Sequence, residues 1–387
     1  MKKTLKIIFI NIIVLFTIII LLDLFSFIFI NTSQIISDNF TKPKEKIDFR
    51  ANFPVYKNNI EAGIFYKELY KIKLEYRSYF EWRATAFKGN AINIDTNGIR
   101  STIDYHPAVP KNKSISFFGG STIWGFGVND SSTIPSLFSK NSNGEYAITN
   151  YGEQGYRAFQ SLQLMQINFI NKNLSDIIVF YDGANNYRAI NERNFSSNRE
   201  VSISYRLKGM DQDLNGINNN NVEATKLSKH YLYPTRFLLN KIINKFKKNN
   251  EIGIEKFRLK HNEITDSLAA TELLETWLLA KNFTESKGKL FYCVLQPTFF
   301  SSNANLSNYI KKGINNGIHN ENTYKYYNLV KNYMKKDKYK LLNKNFIDLS
   351  SEFYKKDNIY IDFCHLAYEG NETIANDLIQ RLTIKNN

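Results

Sequence analysis

The chain has little of what staples or ligates. Its 387 residues include two cysteines, Cys293 and Cys364, and five histidines, His106, His230, His261, His319 and His365. Two cysteines make no disulfide framework. Sequence leaves open whether they pair in an oxidising compartment or stay as buried thiols. No His/Cys cluster stands at metal-ligand spacing, so no metal is expected. The glycine signatures of nucleotide-binding folds are missing as well. Gly119-Gly120 and Gly125-x-Gly127 do not complete Gly-x-Gly-x-x-Gly, and there is no P-loop. No cofactor is therefore expected. Acidic residues are the minority, 36 against 51 Lys and Arg, for a formal charge of +15. The excess is lysine scattered among asparagines, as in residues 241–250 and 335–344, with no basic helix, zinc finger or RNA-binding motif. It reads as solvated surface, and no nucleic-acid partner is expected.

Apolar length is abundant at the start. Residues 7–30 are almost unbroken Ile, Leu, Phe and Val, and a bilayer span needs roughly 20 such residues. A secretory signal has a shorter apolar core and a small-residue cleavage site. Asn31-Thr32-Ser33 offers none, and no cysteine stands near for a lipoprotein anchor. Lys2, Lys3 and Lys6 precede the run and the next lysine is Lys42. The positive-inside rule then predicts a single-pass signal anchor over residues 1–30, with residues 31–387 outside the cytoplasm. Asp23 interrupts the run. It either pairs with another membrane protein or reaches toward the outer interface, and its place in the outer half favours the second.

Beyond the anchor, residues 31–60 are polar, contain Pro43 and Pro54, and read as a linker. Residues 61–110 are rich in aromatics and carry Asn97-Gly98, a hairpin or tight-turn signal. They are expected to be an elaboration packed on the main domain, residues 111–387. There, apolar runs recur at 114–118, 146–150, 177–181, 290–295 and 345–349. Most lack polar alternation, which fits strands buried on both faces and predicts a parallel sheet of about five strands. Helical stripes lie between and after them, over 159–170, 264–283 and at Ile374, Leu378, Ile379 and Leu382. The expected fold is α/β: a three-layer, flavodoxin-like, doubly wound sheet. Polar insertions are expected near 190–260 and 298–322, the first with a helix near 234–246.

Residues 114–118 run into Gly119-Gly120-Ser121-Thr122. Two glycines permit a sharp turn that leaves the Ser121 hydroxyl open at the carboxyl end of a strand, where open α/β sheets place their chemistry. A capping serine is the plainer alternative. A nucleophilic serine needs a base, an orienter and oxyanion donors. Of the histidines, only His365 has a suggestive context, with Asp362 three residues before it on a loop ahead of the last helix. That spacing also suits a capping aspartate beside a structural histidine. Gly155 and Asn185 stand after the second and third strand runs and could supply donors, though turns favour both residue types.

These residues resemble the blocks of the SGNH hydrolases, the GDSL family of esterases and lipases. The blocks are Gly119-Gly120-Ser121-Thr122, Gly155 five residues after Asn150, Gly183-Ala184-Asn185-Asn186, and Asp362-Phe363-Cys364-His365. They stand in the family's order over about residues 112–385, and with the anchor they resemble a membrane-anchored bacterial branch. Asn186 stands where the family has aspartate, which puts local scaffolding in question. The resemblance implies Ser121 as nucleophile, His365 as base and Asp362 as orienter. It implies an oxyanion hole of the Ser121 and Gly155 N–H groups and the Asn185 amide. Trp124 and Tyr187, with Tyr156, Arg157 and Arg188, are expected to flank the site and suit a sugar ring. The implied activity is hydrolysis of O-acyl esters, O-acetyl above all, on a cell-envelope or secreted polysaccharide by a periplasmic, inner-membrane-tethered domain. O-acetyl transfer, lipase or lysophospholipase action, and a non-catalytic assembly role are the alternatives.

Overall fold

The computed structural model describes residues 2–40, 48–171, 174–187, 193–194, 199–200, 263–305 and 322–384. The chain divides into two compact units, Met1–Lys46 with Lys208–Phe257, and Ile47–Leu207 with Arg258–Asn387. In the first, one helix runs from Lys2 to Phe40. Its Lys6–Phe25 stretch is long and apolar enough to cross a membrane. The helix continues ten residues past the apolar run, so residues 31–40 are not the linker expected there. Nothing in Asn31–Phe40 breaks a helix, and Pro43 is the first residue that disfavours one.

The second unit is built on five strands: β1 (Lys113–Gly119), β2 (Tyr146–Asn150), β3 (Ile177–Asp182), β4 (Leu290–Leu295) and β5 (Phe346–Asp348). Their order is β2-β1-β3-β4-β5, and each neighbouring pair is parallel. This is the flavodoxin order, with its topological switch point between β1 and β3. Helices α1 (Ile134–Asn141) and α5 (Tyr368–Ile384) pack together over one face. On the other, α3 (Glu263–Glu285) packs on β3 and β4 and meets α2 (Ala158–Asn171) and α4 (Asn322–Met334).

Because both faces are covered, alternate residues of one strand enter different cores. Ile177, Val179 and Tyr181 join the α1/α5 cluster. Phe180, between them, packs tilted on Phe118 and edge-on to Phe291 instead. This two-sided burial is why β3 reads as an unbroken apolar run. Cys293 and Cys364 are not bonded to each other, and both remain buried thiols. The Cys293 sulfur lies in mid-strand, 3.8 Å from the Asn345 carbonyl oxygen, whereas Cys364 sits on the loop after β5.

Residues 48–60 are not a linker either. Ala51 and Val55 are buried, and Val55 packs on Ile361 and Ala367. The helix Asn59–Leu69 follows, capped by the Asn58 side chain, which accepts from Ile60 and Glu61 N–H. The strand pairs Leu74–Arg77 with Glu81–Ala84, and Phe87–Lys88 with Asn93–Ile94, complete this segment. Gly98, at φ +77°, makes the turn expected at Asn97-Gly98. The insertion expected near 190–260 lies outside the described residues, apart from the short pair Arg193–Asn194 and Arg199–Glu200. The helix expected near 234–246 and residues 306–321 also lie outside them.

Asp182 ends β3 and is 3 % exposed, its Oδ2 accepting from Trp277 Nε1 at 3.0 Å. Burial pushes its pKa up to about 7, against the opposing Trp277 hydrogen bond. An acid raised above its unfolded value of 3.8 favours folding below that pH and loses the contribution as pH rises toward 7. Asp182→Asn should therefore match the native chain in acid and exceed it above neutrality, by up to about 4 kcal/mol. Urea unfolding at both pH values checks this; a difference independent of pH would contradict it.

Candidate active site

β1 breaks at two glycines, the first with a neighbouring backbone too close for a side chain and the second with the Asn185 amide laid over it. A Cβ on Gly119 would lie 2.5 Å from the Tyr181 carbonyl oxygen, and one on Gly120 would lie 2.3 Å from Asn185 Nδ2. Ser121 then opens a single helical turn, Ser121–Trp124, closed by Gly125 in the left-handed region at φ +95°. First-turn N–H groups have no partner inside the helix. The Ser121 N–H is thus placed to serve as a donor beside its own hydroxyl.

The loop after β5 delivers the partners. Asp362 Oδ1 accepts from Cys364 N at 3.0 Å and His365 N at 2.9 Å. Its other oxygen, Oδ2, lies 2.6 Å from His365 Nδ1. Asp362 therefore caps no helix, since α5 begins only at Tyr368; one of its oxygens folds the loop and the other faces the imidazole. Across the ring, His365 Nε2 lies 2.6 Å from Ser121 Oγ. With Asp362 ionised, Nδ1 carries the proton and Nε2 is left to accept from the serine. Ile361 N donates to His365 O at 2.8 Å and Phe299 N to Phe363 O at 2.7 Å, so the loop is fastened to itself and to the β4 exit.

Burial works against charge on both members of this pair, and their attraction outweighs it. The His365 imidazolium holds Asp362 well below the usual carboxylate range, and the Asp362 carboxylate raises His365 above its ordinary 6.5. Burial pushes the neighbouring Cys364 thiol up, which keeps it protonated and inert. Asp362, Cys364 and His365 bring ligand atoms within 4.8 Å of one another, close enough for a cation. However, Asp362 and His365 already engage each other and Ser121, and the thiol holds its proton. The set reads as a proton relay.

Two of the expected oxyanion donors, the Ser121 N–H and the Asn185 amide, lie at the same turn. Asn185 lies in the helix that opens at Ala184 just after β3, and its Nδ2 donates to Tyr156 O at 2.8 Å while lying over Gly120. An amide carries two hydrogens, so one remains for a ligand. Gly155, at φ +80°, precedes that tyrosine on a loop strapped to β1 by Glu153 N donating to Gly119 O at 3.1 Å. Asn186 keeps a scaffolding role despite its departure from aspartate: its Oδ1 accepts from Ala158 N at 3.4 Å, at the start of α2. Asn185→Ala should lower turnover by about 10²–10³-fold with little change in substrate binding. Steady-state kinetics on a short ester checks it, and unchanged turnover would remove Asn185 from the site.

The expected substrate platform is corrected. Trp124 and Tyr187 are both 0 % exposed. Trp124 faces inward, with the Arg100 guanidinium 4.4 Å from its ring and Phe65 beside it. Tyr187 packs on Tyr326, ring centroids 5.1 Å apart. Tyr156 is also buried, donating to Trp82 O, and Arg157 pairs with Glu272. Arg188 lies outside the described residues. Sequence reasoning missed Arg100, which pairs with Asp130 and donates to the carbonyls of Trp124, Gly125 and Val128, cradling the segment after Ser121. An arginine after a tight turn reads as surface charge, so no signal pointed to it.

No family model and no curated protein matches the chain. Among solved structures it is similar to an acetyl xylan esterase, with 12% identity and a TM-score of 0.38, over 69% of this chain and 98% of the other. A member of the lipolytic G-D-S-L family from Veillonella parvula gives 13% identity and a TM-score of 0.38, over 70% and 98%. Est24, a carbohydrate acetylesterase from Sinorhizobium meliloti, gives 10% identity and a TM-score of 0.38, over 70% and 99%. At these scores the chemistry of the site rests on its own atoms: a serine, a histidine and an aspartate in one hydrogen-bonded line at the switch point of a flavodoxin-order sheet.

Proposed function

We propose that the chain is a serine ester hydrolase with Ser121 as nucleophile, His365 as general base and Asp362 as orienter. The unbroken Ser121–His365–Asp362 relay, 2.6 Å at each link, carries this reading. As Ser121 Oγ attacks an ester carbonyl, His365 Nε2 takes its proton and Asp362 stabilises the imidazolium. The tetrahedral oxyanion is met by the Ser121 and Gly155 N–H groups and the Asn185 amide. Collapse expels the alcohol, which takes the proton from His365 and leaves an acyl-enzyme. Water, activated by the same imidazole, then releases the acid.

The substrate proposed is an O-acetyl ester on a cell-envelope or secreted polysaccharide. Two features support it: the block pattern around Ser121, and the apolar N-terminal helix preceded by Lys2, Lys3 and Lys6. That helix would tether a periplasmic domain at the inner membrane, where such glycans are assembled. Protease added to spheroplasts should digest the domain, and full protection would contradict that topology. The substrate test compares the full chain in detergent on acetylated oligosaccharides, short chromogenic esters and long-chain lipids. Release of acetate from the first two is expected. Efficient turnover of long-chain lipids with none on acetylated sugars would replace this reading with a lipase. Activity only with an added acceptor sugar would replace it with an acyltransferase.

A further inference from the structure

His365 is held by hydrogen bonds at its two nitrogens, both on the edge of the ring. Edge contacts leave tilt about the axis through them soft, so a contact on the ring face is needed to fix it. Phe126 supplies that contact. Its ring centroid lies 4.3 Å from that of His365, at 32° between planes. Phe363 is farther away, at 6.1 Å and 60°.

Phe126 is in turn held from outside the sheet. Its N–H donates to Ser121 O at 2.9 Å, which ties it to the nucleophile's own turn. Its ring meets Phe65 and Tyr66 edge-on, at 6.0 and 6.3 Å. The Arg50 guanidinium carbon lies 5.4 Å from the Phe126 centroid and 4.5 Å from that of Tyr66. Arg50 is itself locked, its Nε and Nη2 donating to the two Asp48 oxygens at 2.9 and 2.6 Å. The Tyr70 hydroxyl donates to the same carboxylate at 2.6 Å. Gly127 follows at φ +90°, where a Cβ would lie 2.2 Å from Ile361 Cδ1 and 3.0 Å from the Tyr56 hydroxyl. Any side chain at this φ would be strained and would have to push aside Ile361 of the loop that carries Asp362 and His365.

We infer that Phe126 is a positioning residue for His365, and that residues 48–70, centred on Arg50, hold Phe126 against the imidazole. The part of the chain that lies outside the catalytic blocks thereby completes the site. This rests on reading Ser121, His365 and Asp362 as the catalytic line.

The test uses the full chain in detergent, a short chromogenic acetyl ester, and the far-downfield proton signal of the Asp362–His365 hydrogen bond. Phe126→Leu should lower kcat by about 10- to 100-fold, the scale of a misplaced catalytic group, with KM unchanged. The downfield signal should broaden or vanish. Phe126→Tyr keeps the ring face and should restore both. Arg50→Met leaves every ring in place and should lower kcat several-fold with a broadened signal, which keeps the test open if Phe126→Leu fails to fold. Native kcat and a native signal in both Phe126→Leu and Arg50→Met would overturn the inference. The signal needs no substrate. If it responds as stated while the native chain hydrolyses no ester, positioning stands and the proposed function falls.

Discussion

Ser121→Ala is expected to lower kcat by about 10⁶-fold, the scale at which removal of a nucleophile leaves only oxyanion donors and binding. The fold should not notice, because the one side-chain hydrogen bond recorded for Ser121 among the described residues is to His365 Nε2. His365→Ala should cost about as much, and the double variant hardly more, because the two act as one unit. Steady-state kinetics on a short ester measures all three. Turnover within tenfold of native in Ser121→Ala would place the chemistry elsewhere.

Asp362→Asn is expected to lower kcat by about 10⁴-fold through the wrong tautomer. The Asn Oδ1 can still accept from Cys364 N and His365 N, so the loop survives. Its Nδ2, however, faces His365 Nδ1 and donates to it. The imidazole proton then moves to Nε2, which can no longer accept from Ser121. The pH profile should shift as well. In the native chain the Asp362 carboxylate raises His365 above 6.5, so kcat/KM should climb with pH through an apparent pKa above that value. In the variant the attraction is gone while burial still disfavours the imidazolium, so the acid limb of the residual activity should move below 6.5. A loss of activity with an unmoved acid limb would mean that Asp362 does not face the base.

The sheet was legible because its strands are buried twice. Residues 177–181 carry apolar side chains to both cores, the pattern expected of a parallel strand covered on both faces. Helices α1 and α4 were not legible. In α4 the buried stripe is Tyr326, Tyr327, Val330 and Met334 within a Lys- and Asn-rich stretch, and only tertiary packing decides that tyrosines go inside. Residues 48–60 read as a linker because their burial depends on tertiary partners: Val55 packs on Ile361 and Ala367, some three hundred positions away, and Ala51 joins a cluster with Phe65 and Trp124. Asp362 and His365 could be read as a pair because one loop must aim both. The approach of Ser121, 244 positions from His365, comes from the strand order alone. Trp124 and Tyr187 failed because a turn residue's sequence does not say which way its ring points; Arg100 and Tyr326 draw those rings inward.

The most direct test of the catalytic line is where a covalent adduct forms. The full chain is treated with a serine-reactive fluorophosphonate, digested and mapped by mass spectrometry. The account predicts a single phosphonyl adduct on the peptide carrying Gly119-Gly120-Ser121-Thr122, located at Ser121 by fragmentation and sharply reduced in His365→Ala. An adduct on any other residue, persisting undiminished in Ser121→Ala, would contradict it.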